Sequence, residues 1–130
     1  AAILVLAATP AAADNLVFFQ APSGNIHCLM ADGDFAGARC DMRQLTTQSF
    51  RAPPPDCYGD YGFFFGVGPS GAGAPLCVGD TLLNPSSPVL AYGEHISLGG
   101  ITCTSEQTGM TCTNREGHGF TIARAAQRVY

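Results

Sequence analysis

The six cysteines are the residues of this chain with the broadest chemical potential, since a thiolate can bind a metal ion, attack an electrophile or form a disulfide. No two of them are closer along the chain than Cys103 and Cys112, whereas zinc sites favour pairs separated by about two to four residues. Their number is even, so complete pairing leaves no nucleophilic thiol. We therefore expect disulfides and no metal site.

A second candidate site surrounds one of the three histidines. His118 stands between Gly117 and Gly119, and two flanking glycines free the backbone to present an imidazole at the surface. We expect any binding site to consist of His118 together with Asn114 and Asp80. A Gly-rich turn whose middle residue is histidine explains the same sequence without any site.

Other catalytic patterns are weaker. Ser23 and Ser70 lie in turn-like sequences, but neither belongs to the G-x-S-x-G elbow of a serine hydrolase. Asp32 and Asp34 resemble a fragment of a calcium loop that lacks its later oxygen ligands, so we interpret them as a solvated turn. His27 precedes a cysteine on an expected strand and should point away from it, towards solvent or a partner.

Two stretches bracket a polar turn with cysteines in nearly the same way, SGNIHCLMADGDFAGARC at 23–40 and GGITCTSEQTGMTC at 99–112. Cysteines facing each other on adjacent antiparallel strands can form a disulfide, and Gly109 falls where a hairpin centred on Gln107-Thr108 needs a positive φ. This echo predicts two stapled hairpins, although six cysteines allow about fifteen pairings. The expected pairs are Cys28–Cys40, Cys103–Cys112 and, by elimination, Cys57–Cys77.

The remaining sequence favours an all-β domain. Short apolar stretches alternate with glycine and proline turns, which is typical of a small antiparallel barrel or sandwich. The proline-rich segment 51–60 should cross between the two halves of the sheet, and only the tail Ala123–Val129 has a helix-forming composition. The expected strands are Leu16–Phe19, Ile26–Met30, Phe63–Val67, Val89–Tyr92, His95–Leu98, Ile101–Cys103, Met110–Cys112 and Phe120–Ile122.

The beginning of the chain has the layout of a signal peptide. An apolar run, Ala1–Thr9, leads into three alanines, so we expect cleavage after Ala13 and a single β domain at 14–130. No later stretch is long and apolar enough to span a membrane, which predicts a secreted or periplasmic protein. The net charge of −4 and the absence of a basic stripe argue against nucleic-acid binding.

Several short motifs are distributed over the mature chain: FFQAPSGNIHC, ARC, CVGDT, LAYG, ITCTSEQTGMTCTN and GHGFTIAR. Together they resemble a family of small secreted bacterial proteins catalogued only as a domain of unknown function. The resemblance extends over the whole mature chain, and it implies secretion and disulfide bonds. It brings no activity, substrate or catalytic residue with it.

From these features we expect an exported binding or structural module of the cell envelope, protein-binding or inhibitor-like, without a cofactor. It would act as a monomer on an extracytoplasmic protein or envelope component. The alternative is a small secreted hydrolase with its site around His118 and Asp80. A pocket where His118 meets a carboxylate or hydroxyl would favour the hydrolase, and an exposed apolar patch at Phe63–Phe65 would favour binding.

Overall fold

The computed structural model describes residues 15–130, and the expected signal peptide at 1–13 lies outside them. The described chain is all-β, with ten strands and one short 3-10 turn at Gly33–Phe35. None of its segments is a helix that could cross a membrane. The strands are β1 (Leu16–Gln20), β2 (Ile26–Ala31), β3 (Gly37–Met42), β4 (Phe64–Val67), β5 (Ala74–Pro75), β6 (His95–Leu98), β7 (Ile101–Glu106), β8 (Gly109–Asn114), β9 (Gly119–Ile122) and β10 (Gln127–Val129).

The strands form two five-stranded antiparallel meanders in which each strand pairs with the next in sequence. The first meander contains β1 to β5 and the second β6 to β10. Their inner faces pack together, with β4 against β8 and β9 and β3 against β7. The predicted sandwich is confirmed; the sheets do not close into a barrel.

Alternation along each strand builds the common core. In β7, Ile101 and Cys103 are fully buried, whereas Thr102 between them faces outward and is partly exposed. Aromatic residues fill the centre, where the rings of Phe65 and Phe120 lie 6.4 Å apart and join the two sheets. Each sheet is therefore apolar on the face that meets the other.

All three expected disulfides are present, and two of them occupy equivalent places in the two meanders. Cys28–Cys40 joins the second and third strands of the first sheet, and Cys103–Cys112 does the same in the second sheet. In each pair the cysteines face each other directly, with Cα atoms 4.1 and 4.0 Å apart. The Sγ atoms of Cys40 and Cys112 are 3.9 Å apart, so the two bridges touch in the middle of the core.

Three expectations about the chain's elements are wrong. The tail does not form a helix, because Gln127–Val129 pairs with the free edge of β9 as β10. Of Val89–Tyr92, only Val89 makes a bridge, to Gln20. The proline-rich segment 51–60 does not cross between halves, since β3 and β4 on either side of it are neighbours in one sheet; residues 76–94 connect the sheets instead.

Candidate functional site

Hairpin turns from both sheets meet at one end of the sandwich. In a meander, alternate turns lie at the same end of the sheet, as the β7–β8 and β9–β10 turns do in the second sheet. Residues of the β1–β2 turn line the same concave surface as residues of those two turns. The β7–β8 turn is the one the sequence predicts: Glu106 pairs with Gly109 around Gln107-Thr108, and Gly109 has a φ of 134°. This end of the molecule therefore gathers residues from distant parts of the chain.

Between these turns lies a concave surface of about 380 Å³, here called the end groove. Apolar residues make up part of its wall, among them Tyr92, a residue that is 44% exposed. The volume falls within the range of about 300 to 1,000 Å³ that is typical of small-ligand sites. The apolar lining consists of Ala21, Ile26, Tyr92, Ala123 and Ala125.

A smaller polar recess of about 100 Å³ adjoins the end groove and shares Ser23, Asn25 and Arg124 with it. We call this recess the arginine pocket, because two arginines from opposite halves of the chain line it. Neither Arg43 nor Arg124 forms a salt bridge with any residue in the range 15–130. Its lining is Ser23, Gly24, Asn25, Arg43, Gln44 and Arg124.

The buried side chain and the backbone of Asn25 fix the backbone at Arg43 and Gln44. Asn25 is only 5% exposed, and its Oδ1 accepts a hydrogen bond from the Gln44 N–H at 2.9 Å. Its Nδ2 donates to the Gln44 carbonyl at 3.2 Å, and its own carbonyl accepts from the Arg43 N–H at 2.9 Å. The chain leaving β3 is thus held in place where it enters the arginine pocket.

The buried side-chain amide of Gln127 likewise fixes the backbone around Arg124. Gln127 is 2% exposed and lies at the start of β10. Its Nε2 donates to the carbonyls of Thr47 and Ala123 at 3.0 and 2.7 Å. The Arg124 carbonyl accepts from the N–H groups of Thr46 and Thr47 at 2.9 and 3.1 Å. Both guanidinium groups therefore extend from a rigid backbone.

Asn114, one of the residues selected from the sequence, holds two loops together. Its Nδ2 donates to the carbonyls of Gly68 and Gly71 at 3.1 and 2.9 Å. Its Oδ1 accepts from the N–H groups of Glu116 and His118 at 3.0 and 3.1 Å. Each polar atom of this side chain thus has partners within the protein, and it leaves the β4–β5 loop fixed to the β8–β9 turn.

His118 lies in that same β8–β9 turn and is partly exposed. Among residues 15–130 its imidazole has no hydrogen-bond partner. The flanking glycines have structural reasons of their own: Gly117 has a φ of 82°, and a Cβ on Gly119 would lie 1.8 Å from the Cys112 carbonyl oxygen. The pattern G-H-G is thus required by the turn and by close strand packing.

Asp80 is placed elsewhere, on the outer face of the first sheet. Its carboxylate is 74% exposed and accepts a hydrogen bond from Arg39 at 2.9 Å. The same guanidinium binds Asp41 through Nε and Nη2, both at 2.9 Å. The structure brings Asn114 and His118 together, but no hydrogen bond among the described residues joins Asp80 to either.

Asp41 is the charged group at the centre of this outer face. It is completely buried, and its Oδ2 also accepts the Leu82 N–H at 2.9 Å. Partial burial alone would lower the pKa of the Arg39 guanidinium, but its hydrogen bonds to Asp41 and Asp80 outweigh burial and raise that pKa overall. The cluster anchors the connecting segment 76–94 to the sheet.

The expectation that His27 faces solvent or a partner is wrong. It points to the outer face as predicted, but the connecting segment covers it and only 3% remains exposed. Nδ1 accepts the Asn84 N–H at 3.3 Å, so Nε2 must carry the proton that it donates to the Gly24 carbonyl at 3.0 Å. This histidine therefore has a structural role.

The run Phe63–Phe65 does not form the exposed apolar patch that would have favoured binding. Phe65 is fully buried and Phe63 and Phe64 are half-buried, because the strand lies inside the first sheet under neighbouring segments. Sequence reasoning missed Arg43 and Arg124, which lie 81 positions apart and carry no recognisable motif. Only the pairing of the strands reveals that they line one pocket.

Comparison of the chain with known proteins identifies its family. No curated protein and no solved structure matches the chain. A model of a protein family does match, and it covers residues 1–130, which is the whole sequence. The chain therefore belongs to the family of unknown function DUF6636.

Proposed function

We propose that the protein is an exported binding module of the cell envelope and that its ligand lies in the end groove. The observation that carries this proposal is the concave surface of about 380 Å³ formed by three hairpin turns on a rigid, disulfide-stapled sandwich. Such a frame can present a preorganised surface at little entropic cost to binding.

The hydrolase alternative has weaker support. A hydrolytic site needs a nucleophile, a base and an orienting group within hydrogen-bond reach of one another. The imidazole of His118 has no such partner within residues 15–130, and the Asp80 carboxylate is bound to Arg39. We therefore prefer a binding function for this protein.

Export is supported by the signal-like sequence of residues 1–13 and by the disulfides, which are typical of oxidising compartments. Expression of the full coding sequence in a bacterial host with a secretion pathway tests this part. N-terminal sequencing of the exported protein should give Asp14 as the first residue. A product that retains Ala1–Ala13 and stays in the cytoplasm would contradict it.

The binding site itself can be tested by NMR. A library of a few hundred small fragments is added to ¹⁵N-labelled oxidised protein, and amide shifts are followed residue by residue. We expect hits to perturb Ser23, Tyr92, Thr108 and Arg124, with no change at the open face around Thr102. If no fragment perturbs the end groove, or if hits concentrate on another surface, the proposal is wrong.

A further inference from the structure

We infer that the ligand of the end groove is a short chain with an apolar end that carries a carboxylate, as at the C-terminus of a peptide. This inference rests on the proposed function and adds the chemistry of the ligand. Three observations lead to it: the composition of the arginine pocket, the surrounding charge, and the apolar wall beside it.

The arginine pocket presents donors to its interior. Two arginines line it, and an arginine side chain binds carboxylates through paired N–H groups in a planar arrangement. The Ser23 hydroxyl accepts the Asn25 N–H at 3.2 Å, which leaves its own proton to donate. No acidic side chain lines this pocket. Its chemistry therefore selects an oxyanion.

The charge around the two arginines also differs from that of Arg39. Arg39 has two carboxylates within 2.9 Å, and its charge is already compensated. Arg43 and Arg124 have no ion pair within residues 15–130. Among these residues, the side chain of Arg124 donates from Nη1 only to the neutral Gln44 Oε1, at 3.5 Å. In a protein with a net charge of −4, this local excess of positive charge can attract an anionic group.

The end groove determines what the anion is attached to. Its apolar residues start where the arginine pocket ends, since Ser23, Asn25 and Arg124 belong to both. Glu106 lines the larger part but not the arginine pocket, so a second anionic group there would meet like charge. A single carboxylate beside an apolar side chain matches this layout.

Two acetylated tripeptides, Ac-Ala-Ala-Leu and Ac-Ala-Ala-Phe, test the inference, each prepared as the free acid and as the C-terminal amide. Amide-shift titration of the full oxidised protein measures the dissociation constant for each. The free acids should perturb Arg43, Gln44, Arg124 and Tyr92 and bind about tenfold more tightly than the amides, because the amide loses a charge-assisted pair. Their affinity should fall as salt is raised.

Variants locate the effect. Arg124→Gln and Arg43→Gln should each weaken acid binding about tenfold and leave amide binding unchanged, whereas Arg124→Lys should retain part of the preference. Arg115→Gln is the matched control, because Arg115 is an exposed arginine at the opposite end of the sandwich, in the β8–β9 turn. Its binding should equal that of the unmodified protein. Thermal unfolding of every variant establishes that it is folded.

The outcomes separate the inference from the proposed function. Equal binding of acid and amide in the end groove overturns the carboxylate inference and leaves the binding module intact. A stronger response to phenyl phosphate than to both acids assigns the pocket to phosphate groups and overturns it as well. If fragments bind in the groove while neither acid perturbs Arg43 or Arg124, the inference also fails. If neither the fragments nor the tripeptides bind in the end groove, the proposed function is wrong, and the carboxylate inference is wrong with it.

Discussion

The two meanders share a plan but differ in what covers them. Each has five antiparallel strands with a disulfide between its second and third strands. The outer face of the first carries His27 and Asp41, both buried under the connecting segment. The outer face of the second carries partly exposed threonines on β7, β8 and β9.

This difference separates polar residues by role. Asp41 and His27 carry groups that suggest chemistry, yet a second part of the chain satisfies their hydrogen bonds and makes them structural. The threonines of the second sheet stay partly exposed, and within residues 15–130 their side chains hydrogen-bond only to neighbouring hydroxyls, as Thr111 does to Thr121 at 3.0 Å. The arginine pocket lies at the junction of the two halves, where the charges of Arg43 and Arg124 are uncompensated within the described chain. A candidate site is thus better found from unmatched groups than from reactive residue types.

The largest expected effect is the loss of stability when one of the two central disulfides, Cys28–Cys40 or Cys103–Cys112, is removed. Replacing Cys28 and Cys40 together by alanine should lower the free energy of unfolding by about 4 to 5 kcal/mol, since it removes a cross-link and leaves a cavity in the core. The equivalent replacement of Cys103 and Cys112 should cost the same within about 1 kcal/mol. Denaturant unfolding of the non-reduced variants measures both.

Cys57–Cys77 provides the control for that experiment. It lies in partly exposed loops, so its removal should cost only about 2 to 3 kcal/mol, without a cavity contribution. Loop entropy alone predicts the reverse order, because its sequence separation of 20 exceeds 12 and 9 for the central pairs. A larger cost for the Cys57 and Cys77 replacement would show that burial contributes little to these staples.

The next effect tests the covered face against the open face. Asp41 follows Cys40 as Thr113 follows Cys112, and both point outward from their sheets. Asp41→Ala should cost about 3 kcal/mol, because the Leu82 N–H and part of Arg39 lose a buried acceptor. Thr113→Ala should change stability by less than about 0.5 kcal/mol. Similar costs in urea unfolding would remove the distinction between the two faces.

A smaller effect concerns the contact between the halves at the β8–β9 turn. Asn114→Ala should cost about 2 kcal/mol, because the buried Asn114 amide makes four hydrogen bonds, and its loss leaves the carbonyls of Gly68 and Gly71 without their donor. His118→Ala, four positions along the same turn, should leave the thermal midpoint nearly unchanged. Differential scanning calorimetry measures both, and a large drop for His118→Ala would make the imidazole structural.

The smallest effect is a pH dependence confined to the first meander. Hydrogen bonds from the side chain and backbone of Asn15 lower the pKa of Asp32 below its usual 3.8. A depressed carboxyl pKa stabilises the fold above the unfolded value, and this stabilisation is lost as pH falls through the folded pKa. The Asn15 amide shift should therefore change below about pH 3.8, and Asp32→Asn should abolish that change. An inflection of the Asn15 amide shift at or above pH 3.8 would show that the hydrogen bonds from Asn15 do not lower the pKa of Asp32.

Local patterns account for the parts of the fold that can be predicted from sequence. Alternation along β7 and β8, the glycine at Gly109 and the spacing of Cys103 and Cys112 all act within one hairpin, so the pairing follows from them. The tail misleads because helix propensity is weak, and pairing with the edge of β9 overrides it.

The candidate site depends on contacts that no local pattern contains. Asn25 fixes the backbone at Arg43 and Gln44, and Gln127 joins the turn that carries Arg124 to Thr47. These hydrogen bonds link residues 19 and 80 positions apart. His118 attracts notice because its neighbours are glycines, but one glycine serves a turn and the other a close backbone approach. The spatial cause of each pattern becomes visible only when the strands are paired.

The placement of the disulfides has a consequence for cleavage of the chain. Cys28–Cys40 and Cys57–Cys77 both close loops before residue 78, and Cys103–Cys112 closes a loop after residue 102. The disulfides Cys28–Cys40 and Cys103–Cys112 touch in the core, but no covalent bond joins one to the other. A single proteolytic cut near Gly93 would therefore give two fragments that separate on a denaturing gel without reductant. In native buffer, the shared core and the Gln127 and Asn114 bonds would hold the fragments together as a complemented pair.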